Sequence, residues 1–193
     1  MKKIVIDPRV IKHLGRDLIT SPEVAVIELV KNSIDAKAKH INLRLYNNYS
    51  QYESLPNYVR AAIPKQYLDL PMLIVEDDGR GMTNAALDDG FLKIATDIKT
   101  NEEGTLGEKG IGRLATQRLG TALLVETSSV EESQTSYVFI DWNDVINGVE
   151  EVPNFEGPAT PHHTRLIIFN VNLEDYIDNA MQFEQLSLDN SNV

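Results

Sequence analysis

Apolar and polar positions follow two different periods in the first half of the chain. Ser21 can cap a helix and Pro22 fits a first helical turn, so a helix is predicted from Pro22 to about Ala38. From Ile41 to Leu45 every second residue is apolar, which predicts a strand with one buried face. Met72 to Val75 is continuously apolar and leads into acidic residues and a glycine, which predicts a central strand that ends in a turn.

The rest of the chain shows shorter patterns. Residues 47–70 contain two prolines and four tyrosines without a sustained period, which predicts an insertion with a short helix. Residues 150–161 carry three prolines and are predicted to form a loop. Further helices are predicted over about 84–94 and 111–119. Further strands are predicted over 123–126, 137–141 and 165–169. This order favours an open α/β sandwich with helices on one face of a mixed sheet.

Length and composition restrict the class of protein. A chain of 193 residues with 42% hydrophobic residues is typical of one globular domain. Because no run of 18 apolar residues or secretory leader is present in the sequence, we expect a cytoplasmic protein without a membrane span. The absence of cysteine excludes disulfides, thiolate zinc sites and cysteine nucleophiles. Any metal must therefore bind through oxygen or imidazole.

The net charge of −11 is concentrated in the last third of the chain. Residues 1–120 hold 17 basic and 16 acidic residues, whereas residues 121–193 hold Arg165 against 13 acidic residues. An acidic surface repels the phosphate backbone, so we expect no direct nucleic-acid binding by this segment. Solubility is the simpler explanation of this acidity, and a basic partner is the other.

The predicted first helix carries a narrow polar stripe. Glu28, Asn32 and Asp35 stand four and three residues apart and fall within about 60° of one another around the helix. The apolar residues on either side are predicted to be buried: Val24, Ile27, Val30 and Ile34 on one side, and Ala25, Val26, Leu29 and Ala36 on the other. A carboxylate among apolar neighbours needs a cation, a water or a ligand. A solvated helix face and a ligand site are both consistent with this spacing.

Two glycine-containing segments add candidate chemistry. Asp77 to Gly81 places an aspartate and two alternating glycines after the buried strand, where glycine lets a flat ring approach the backbone and the carboxylate can accept from an exocyclic amine. Gly107, Gly110 and Gly112 precede a helical pattern, and backbone amides in such a turn bind polyphosphate. The segment lacks the Walker ending and does not follow the first strand, which excludes P-loop and dinucleotide folds.

Taken in order, these segments resemble the superfamily of gyrase B, heat-shock chaperone ATPases, histidine kinases and MutL, often called GHKL ATPases. Glu28 to Ala36 resembles the first box of that family, Asp77 to Gly81 the second, Gly107 to Gly112 the third, and Thr164 with the following strand the fourth. The resemblance covers about residues 11–169. The first and third boxes look closest to the bacterial branch related to MutL and the MORC proteins.

The resemblance implies a Bergerat fold, which is a two-layer α/β sandwich with a mixed, mostly antiparallel sheet, helices on one face and a mobile ATP lid. It implies one ATP-binding domain over residues 1–193, with a core over about 11–170, an insertion over about 47–70 and the lid over about 95–112. ATP and Mg²⁺ are the implied cofactors. The implied nucleotide-binding residues are Asn32, Asp35, Ala36, Asp77, Gly79, Gly81, Met82, Lys99, Gly107, Lys109, Gly110, Ile111, Gly112, Arg113 and Thr164.

The resemblance also implies roles for individual residues. Asp77 accepts from the adenine amine with support from Thr164, Asn32 binds Mg²⁺, and Glu28 is the catalytic base that activates water. The expected activity is slow ATP hydrolysis coupled to lid closure. Two alternatives stay open: phosphotransfer of the histidine-kinase type, disfavoured because no long dimerisation helix precedes the fold, and an ATP-sensing module that scarcely hydrolyses ATP.

The expected partners follow from the same resemblance. Relatives dimerise when ATP binds and take a further lysine from a following domain, so we expect an ATP-dependent homodimer, further domains or a partner protein. The sequence is compatible with the N-terminal part of a longer protein. One position departs from the family pattern, because His163, preceded by His162, stands where the fourth box usually has glycine. Adjacent strand residues face opposite sides, so this pair is not predicted to bind metal.

Overall fold

The computed structural model describes residues 1–6, 21–52, 54–94 and 115–172. The predicted lid over residues 95–112 and Arg113 lie outside the described residues. None of the helices in the described part of the chain is long and apolar enough to cross a membrane.

The described part of the chain contains ten strands and five α-helices. The strands are β1 Lys2–Lys3, β2 Val5–Ile6, β3 Ile41–Tyr46, β4 Met72–Asp77, β5 Lys93–Ile94, β6 Ala122–Ser128, β7 Gln134–Asp141, β8 Glu151–Val152, β9 Asn154–Pro158 and β10 His163–Phe169. The helices are α1 Pro22–Asp35, α2 Asn57–Ala62, α3 Lys65–Leu68, α4 Ala115–Leu119 and α5 Trp142–Ile146, with a 3₁₀ turn at Tyr49–Gln51 and a π-helix at Ala86–Phe91.

Helix α1 begins where the sequence predicts. The Ser21 side chain accepts a hydrogen bond from the backbone nitrogen of Val24, and Pro22 occupies the first turn. The helix ends at Asp35, three residues before the predicted end, because Lys37 adopts a left-handed backbone conformation with a φ of 63°. The amide of Lys37 closes the end by bonding to the carbonyl of Ile34.

One side of α1 is buried, not two. Ala25, Val26 and Leu29 pack into the core, whereas Val24, Ile27 and Ile34 are 40%, 49% and 44% exposed. The prediction that both apolar sides are buried is therefore wrong for the side with Val24, Ile27 and Ile34, of which only Val30 packs against the core. A helix lying on a sheet buries a stripe about 100° wide, and a flat sheet does not reach round to the other side.

Six strands of the described chain form one sheet in the order β3-β4-β10-β6-β7-β9, and every neighbouring pair is antiparallel. This confirms the predicted α/β fold with a mostly antiparallel sheet. The predicted loop over residues 150–161 instead contains the short strands β8 and β9. Strand β9 pairs with β7 although it contains a glycine and a proline. It lies at the edge of the sheet, where proline is tolerated because its missing N–H is not needed on the open side.

The predicted buried face of β3 is more open than expected. Strand β3 is the other edge of the sheet, and its front-facing Leu43 and Leu45 are 36% and 41% exposed. We define the front face as the side covered by α1, where Leu73 and Val75 of β4 join the same cluster as Val26 and Leu29. An edge strand has a neighbour on one side only, which explains its partial cover.

The insertion covers the opposite, back face of the sheet. Met72 and Ile74 alternate with the front-facing residues of β4 and pack against Val59 and Ile63 of the insertion and against Tyr67. Tyr67 also donates to the Asp141 carboxylate at 2.6 Å, and burial together with this bond raises the pKa of Tyr67 to about 12. The sequence predicted helices on one face of the sheet only, so the packing of the insertion on the back face was not predicted.

Candidate functional site

Two strands, β4 and β6, end beneath the last turn of α1, and β10 begins there. Asp77 is the last residue of β4 and pairs with Thr164 on β10, which in turn pairs with Thr127 on β6. Because these three residues occupy matching positions across neighbouring strands, their side chains lie on the same, front face as α1. A row of oxygen-bearing side chains therefore lines this end of the sheet.

Asp77 is held by two donors within the fold. Its side chain accepts from the Ser33 hydroxyl at 2.8 Å through Oδ2 and from the backbone nitrogen of Gly79 at 2.9 Å through Oδ1. The residue is only 7% exposed, and this burial raises the pKa of Asp77, with both hydrogen bonds opposing the increase. Each carboxylate oxygen has a further lone pair, so Asp77 can accept one more hydrogen bond from a ligand amine.

The neighbouring Asp78 has a different role. Its carboxylate accepts from the backbone nitrogens of Lys39 and His40 at 2.7 and 2.8 Å and from His40 Nδ1 at 2.7 Å. Desolvation acts to raise the pKa of Asp78, but these bonds outweigh it and lower the pKa to about 2. Asp78 therefore anchors the turn to the chain that follows α1, and Asp77 is left facing the front of the sheet.

Both glycines of this turn stand where a side chain has no room. A Cβ on Gly79 would lie 2.7 Å from Asp77 Oδ1 and 2.9 Å from the Ala36 Cβ. A Cβ on Gly81 would lie 2.0 Å from the carbonyl oxygen of Ser128, and Gly81 has a φ of 68°. Ala36 also accepts from the backbone nitrogen of Arg80 at 3.0 Å. The turn therefore packs closely against both the end of α1 and the end of β6.

The hydroxyl pair on β6 and β10 supports the residue after the turn. Thr127 Oγ1 accepts from the backbone nitrogen of Met82 at 2.8 Å and lies 3.3 Å from Thr164 Oγ1. The hydroxyl that bonds to Asp77 belongs to Ser33, whereas that of Thr164 meets Thr127. Thr164 is therefore placed beside Asp77 across the sheet, and the hydroxyl that contacts Asp77 directly is that of Ser33.

The polar stripe of α1 lies on the accessible side of the helix. Asn32 and Asp35 are exposed, and the Glu28 side chain is 33% exposed with one oxygen 2.6 Å from Lys31 Nζ. Amide and carboxylate oxygens on an accessible helix face are the hard donors that Mg²⁺ prefers when it keeps several water ligands. The donor set on this face therefore fits a magnesium site.

The phosphate-binding residues implied by the resemblance lie outside the described residues. They are Lys99, Gly107, Lys109, Gly110, Ile111, Gly112 and Arg113.

Comparison with known proteins identifies the family. The family described as "Histidine kinase-, DNA gyrase B-, and HSP90-like ATPase" matches residues 19–164, about three quarters of the chain. The chain belongs to this ATPase family. Membership supports ATP binding by this domain and agrees with its α/β fold. A comparison with curated proteins finds no match.

A solved structure is also similar to this GHKL ATPase domain. It is the crystal structure of the N-terminal domain of a DNA repair protein, with 20% identity and a TM-score of 0.49. The match covers 91% of this chain and 44% of that chain, so the domain spans less than half of the solved structure.

Two residues of the described site, Ser33 and Thr127, were not singled out in the sequence, and the contact made by His162 was not predicted. Ser33 bonds to Asp77, Thr127 to Met82, and His162 Nδ1 lies 2.8 Å from the carbonyl oxygen of Gly79. A polar residue on the buried side of α1 was a usable signal for Ser33, since it stands four residues after buried Leu29. No comparable signal existed for Thr127 or His162, because their contacts depend on strand register.

Proposed function

We propose that this domain binds Mg²⁺-ATP at the end of β4 and hydrolyses it slowly, with lid closure coupled to dimerisation or to a partner. The observation that carries the proposal is the environment of Asp77. A carboxylate that is 7% exposed, with two internal donors and spare lone pairs, is suited to one specific amine donor. Family membership supports ATP as the source of that amine.

In the proposed complex the adenine ring lies over the turn after β4. Asp77 accepts from the adenine amine, and the absence of side chains at Gly79 and Gly81 lets the ring approach the backbone. Ala36, Met82 and Thr164 line the ring. The phosphates extend towards Asn32 and Asp35 and the lid, where Lys99, Lys109, Arg113 and the amides of Gly107, Gly110, Ile111 and Gly112 offset their charge.

Asn32 would hold Mg²⁺ through its side-chain oxygen. When bound, Mg²⁺ would supply positive charge that offsets the negative charge of the phosphates. Glu28 lies one helical turn before Asn32 and acts as general base: it accepts a proton from a water whose oxygen attacks the γ-phosphorus. The bond from that phosphorus to the β-phosphate oxygen breaks, which releases ADP and phosphate. The Lys31 ammonium donates to one Glu28 oxygen at 2.6 Å and leaves the other oxygen for the water.

Replacing Asp77 with asparagine is expected to weaken binding of a non-hydrolysable ATP analogue about 10- to 100-fold, because a hydrogen bond to a charged acceptor contributes ~1.5–3 kcal/mol. The melting temperature should not fall, since the amide is isosteric and its burial lacks the cost that raises the Asp77 pKa. Calorimetry measures the affinity and circular dichroism the melting. Unchanged affinity in this variant would argue against the whole site.

The alternatives differ in the step that comes after ATP binding. We expect the isolated chain to bind Mg²⁺-ATP but to hydrolyse it weakly, because relatives take a catalytic lysine from a following domain. Phosphate release by the purified chain, measured alongside light scattering with and without the analogue, tests this expectation. Rapid turnover by the monomer would contradict it. Binding with no turnover at any concentration would favour the ATP-sensing module, and a phosphorylated histidine would favour the kinase-like alternative.

The branch within the family is a further part of the proposal. The first and third boxes, Glu28 to Ala36 and Gly107 to Gly112, support a place near the bacterial MutL- and MORC-related proteins. The work driven by the ATP cycle does not follow from the fold, because one fold hosts many functions.

A further inference from the structure

Two adjacent histidines contact the turn after Asp77 and the strand beside it. His162 immediately precedes β10 and His163 is the first residue of that strand. In the family that the sequence resembles, glycine usually stands at the position of His163. The two imidazoles have different neighbours, because His162 contacts the Gly79 carbonyl oxygen and His163 contacts Glu126. A glycine at position 163 would have no side chain with which to contact the neighbouring strand.

His162 acts on the front of the site. Its Nδ1 donates to the carbonyl oxygen of Gly79 at 2.8 Å, and the backbone nitrogen of Gly79 donates to Asp77 at 2.9 Å. Gly79 is therefore held at both its nitrogen and its oxygen. Glycine has more backbone freedom than any other residue, so these two bonds restrict the peptide units on both sides of Gly79, one of which donates to the Asp77 carboxylate.

His163 acts on the back of the sheet. Its Nδ1 lies 2.8 Å from the carbonyl oxygen of Pro161 and its Nε2 lies 3.0 Å from Glu126 Oε1, and the side chain is only 13% exposed. Pro161 and Glu126 offer an acceptor to each ring nitrogen, and the Thr160 hydroxyl lies 3.4 Å from Nδ1, so the protonated imidazole can donate at both nitrogens. The backbone carbonyl of His163 accepts from Thr127 at 3.1 Å, which links this ring to the support of Met82.

The charges around His163 come from four strands. Arg165 of β10 donates to Glu126 of β6 at 2.9 Å and to Glu76 of β4 at 2.8 Å, so His163 and Arg165 share the Glu126 carboxylate. Arg44 of β3 also reaches Glu76. Burial acts to lower the pKa of His163 and Arg165 repels its charge, but the bonds to Glu126 and Pro161 raise it above the usual 6.5.

We infer that His162 and His163 are positioning residues for the adenine pocket, His162 by holding the Gly79 carbonyl and His163 by tying the start of β10 to Glu126. This inference rests on the proposed ATP site and adds two residues to it. The stabilisation of the start of β10 by charged His163 is complete below about pH 6.5. It is lost as the pH rises through the raised pKa of His163. Adenine recognition therefore weakens on the alkaline side.

The His162 contact is tested by a donor-specific pair of variants. His162→Phe keeps a ring without a donor, and His162→Asn keeps a donor of similar reach. We expect His162→Phe to bind a non-hydrolysable ATP analogue about 3- to 10-fold more weakly, the effect of one neutral hydrogen bond, and His162→Asn to retain most of the affinity. Since His162 is at the surface, both variants should remain folded by circular dichroism.

A second ligand makes the readout specific for adenine. The corresponding inosine nucleotide lacks the 6-amino group, so the ratio of its dissociation constant to that of the ATP analogue measures recognition by Asp77. We expect His162→Phe to lower this ratio. Wild-type ratios in that variant, or equal losses in His162→Phe and His162→Asn, would overturn the inference. Failure of the wild-type chain to bind either nucleotide would instead overturn the proposed function.

The His163 contact is tested by its pH dependence. His163→Gln keeps a donor for Glu126 but carries no charge, so its affinity relative to wild type should be about 3- to 10-fold lower near pH 6 and should approach that of wild type near pH 9. The ratio at each pH cancels titration of the nucleotide itself. A ratio that does not change with pH would contradict the role of the charged imidazole.

His40→Ala is the matched control for both histidines. His40 also bonds to the turn, through the Asp78 carboxylate at 2.7 Å, but Asp78 keeps two backbone donors from Lys39 and His40 after the ring is removed. We therefore expect His40→Ala to leave affinity, the nucleotide ratio and their pH dependence unchanged. A loss equal to that of His162→Phe would show a general sensitivity of the turn and would overturn the specific roles.

Discussion

Phosphate release by the Glu28→Ala variant is expected to be about 10²- to 10⁴-fold slower than by the wild-type chain, which is the usual contribution of a general base. The affinity for a non-hydrolysable ATP analogue should be unchanged, because Asp77 and the turn lie at the other end of the site. The fold should be unaffected too, since Glu28 is on an accessible helix face and alanine is the better helix former. Single-turnover assays with labelled ATP measure the slow rates involved.

Two further variants separate a base from a charge partner. Glu28→Gln keeps the size and the hydrogen bonding of the side chain but cannot take a proton, so it should be as slow as Glu28→Ala. Lys31→Met removes the cation 2.6 Å from Glu28 and leaves the carboxylate in place. We expect Lys31→Met to retain most of the turnover. If Glu28→Gln turned over at the wild-type rate, Glu28 would not be the base.

The start of α1 and the central strand were predictable because their signals are local. The Ser21 cap and the proline after it act within one turn, and the continuous apolar run of β4 reflects burial on both faces. The prediction for Asp77 needed little more, since a residue that ends a central strand reaches the rim of the sheet. That Asp77 faces the front of the sheet while Asp78 anchors the turn depends on Lys39 and His40, which no local pattern links to them.

The features that sequence did not predict depend on what packs against an element. The apolar side of α1 containing Val24 and Ile27 has the same pattern as the buried side, and only the position of the sheet decides between them. The insertion has no period, yet its Val59 and Ile63 cover the back of the sheet. The contacts of His162 and His163 likewise require the register between β10 and its neighbours.

Replacing Gly81 with alanine is expected to cause a large loss of stability, more than ~3 kcal/mol in the free energy of unfolding. A left-handed backbone alone costs a non-glycine residue about 1–2 kcal/mol. The added Cβ would in addition lie 2.0 Å from the carbonyl oxygen of Ser128, so the turn or the end of β6 has to move. Because Met82 and Thr127 bond across this contact, nucleotide affinity should fall as well.

Variants of two other glycines separate the cost of the left-handed backbone from the cost of the steric clash at Gly81. Gly148 has a φ of 93° with nothing within 4 Å of an added Cβ, so Gly148→Ala carries backbone strain alone and should cost about 1–2 kcal/mol. Gly90 in the π-helix has neither a left-handed φ nor a close neighbour, so Gly90→Ala should be neutral or stabilising by ~0.5–1 kcal/mol. Urea unfolding of the three variants measures these differences. If Gly81→Ala lost no more stability than Gly148→Ala, the turn would not be tightly packed against β6. The rigid adenine pocket that the proposed function requires would then lose its structural basis.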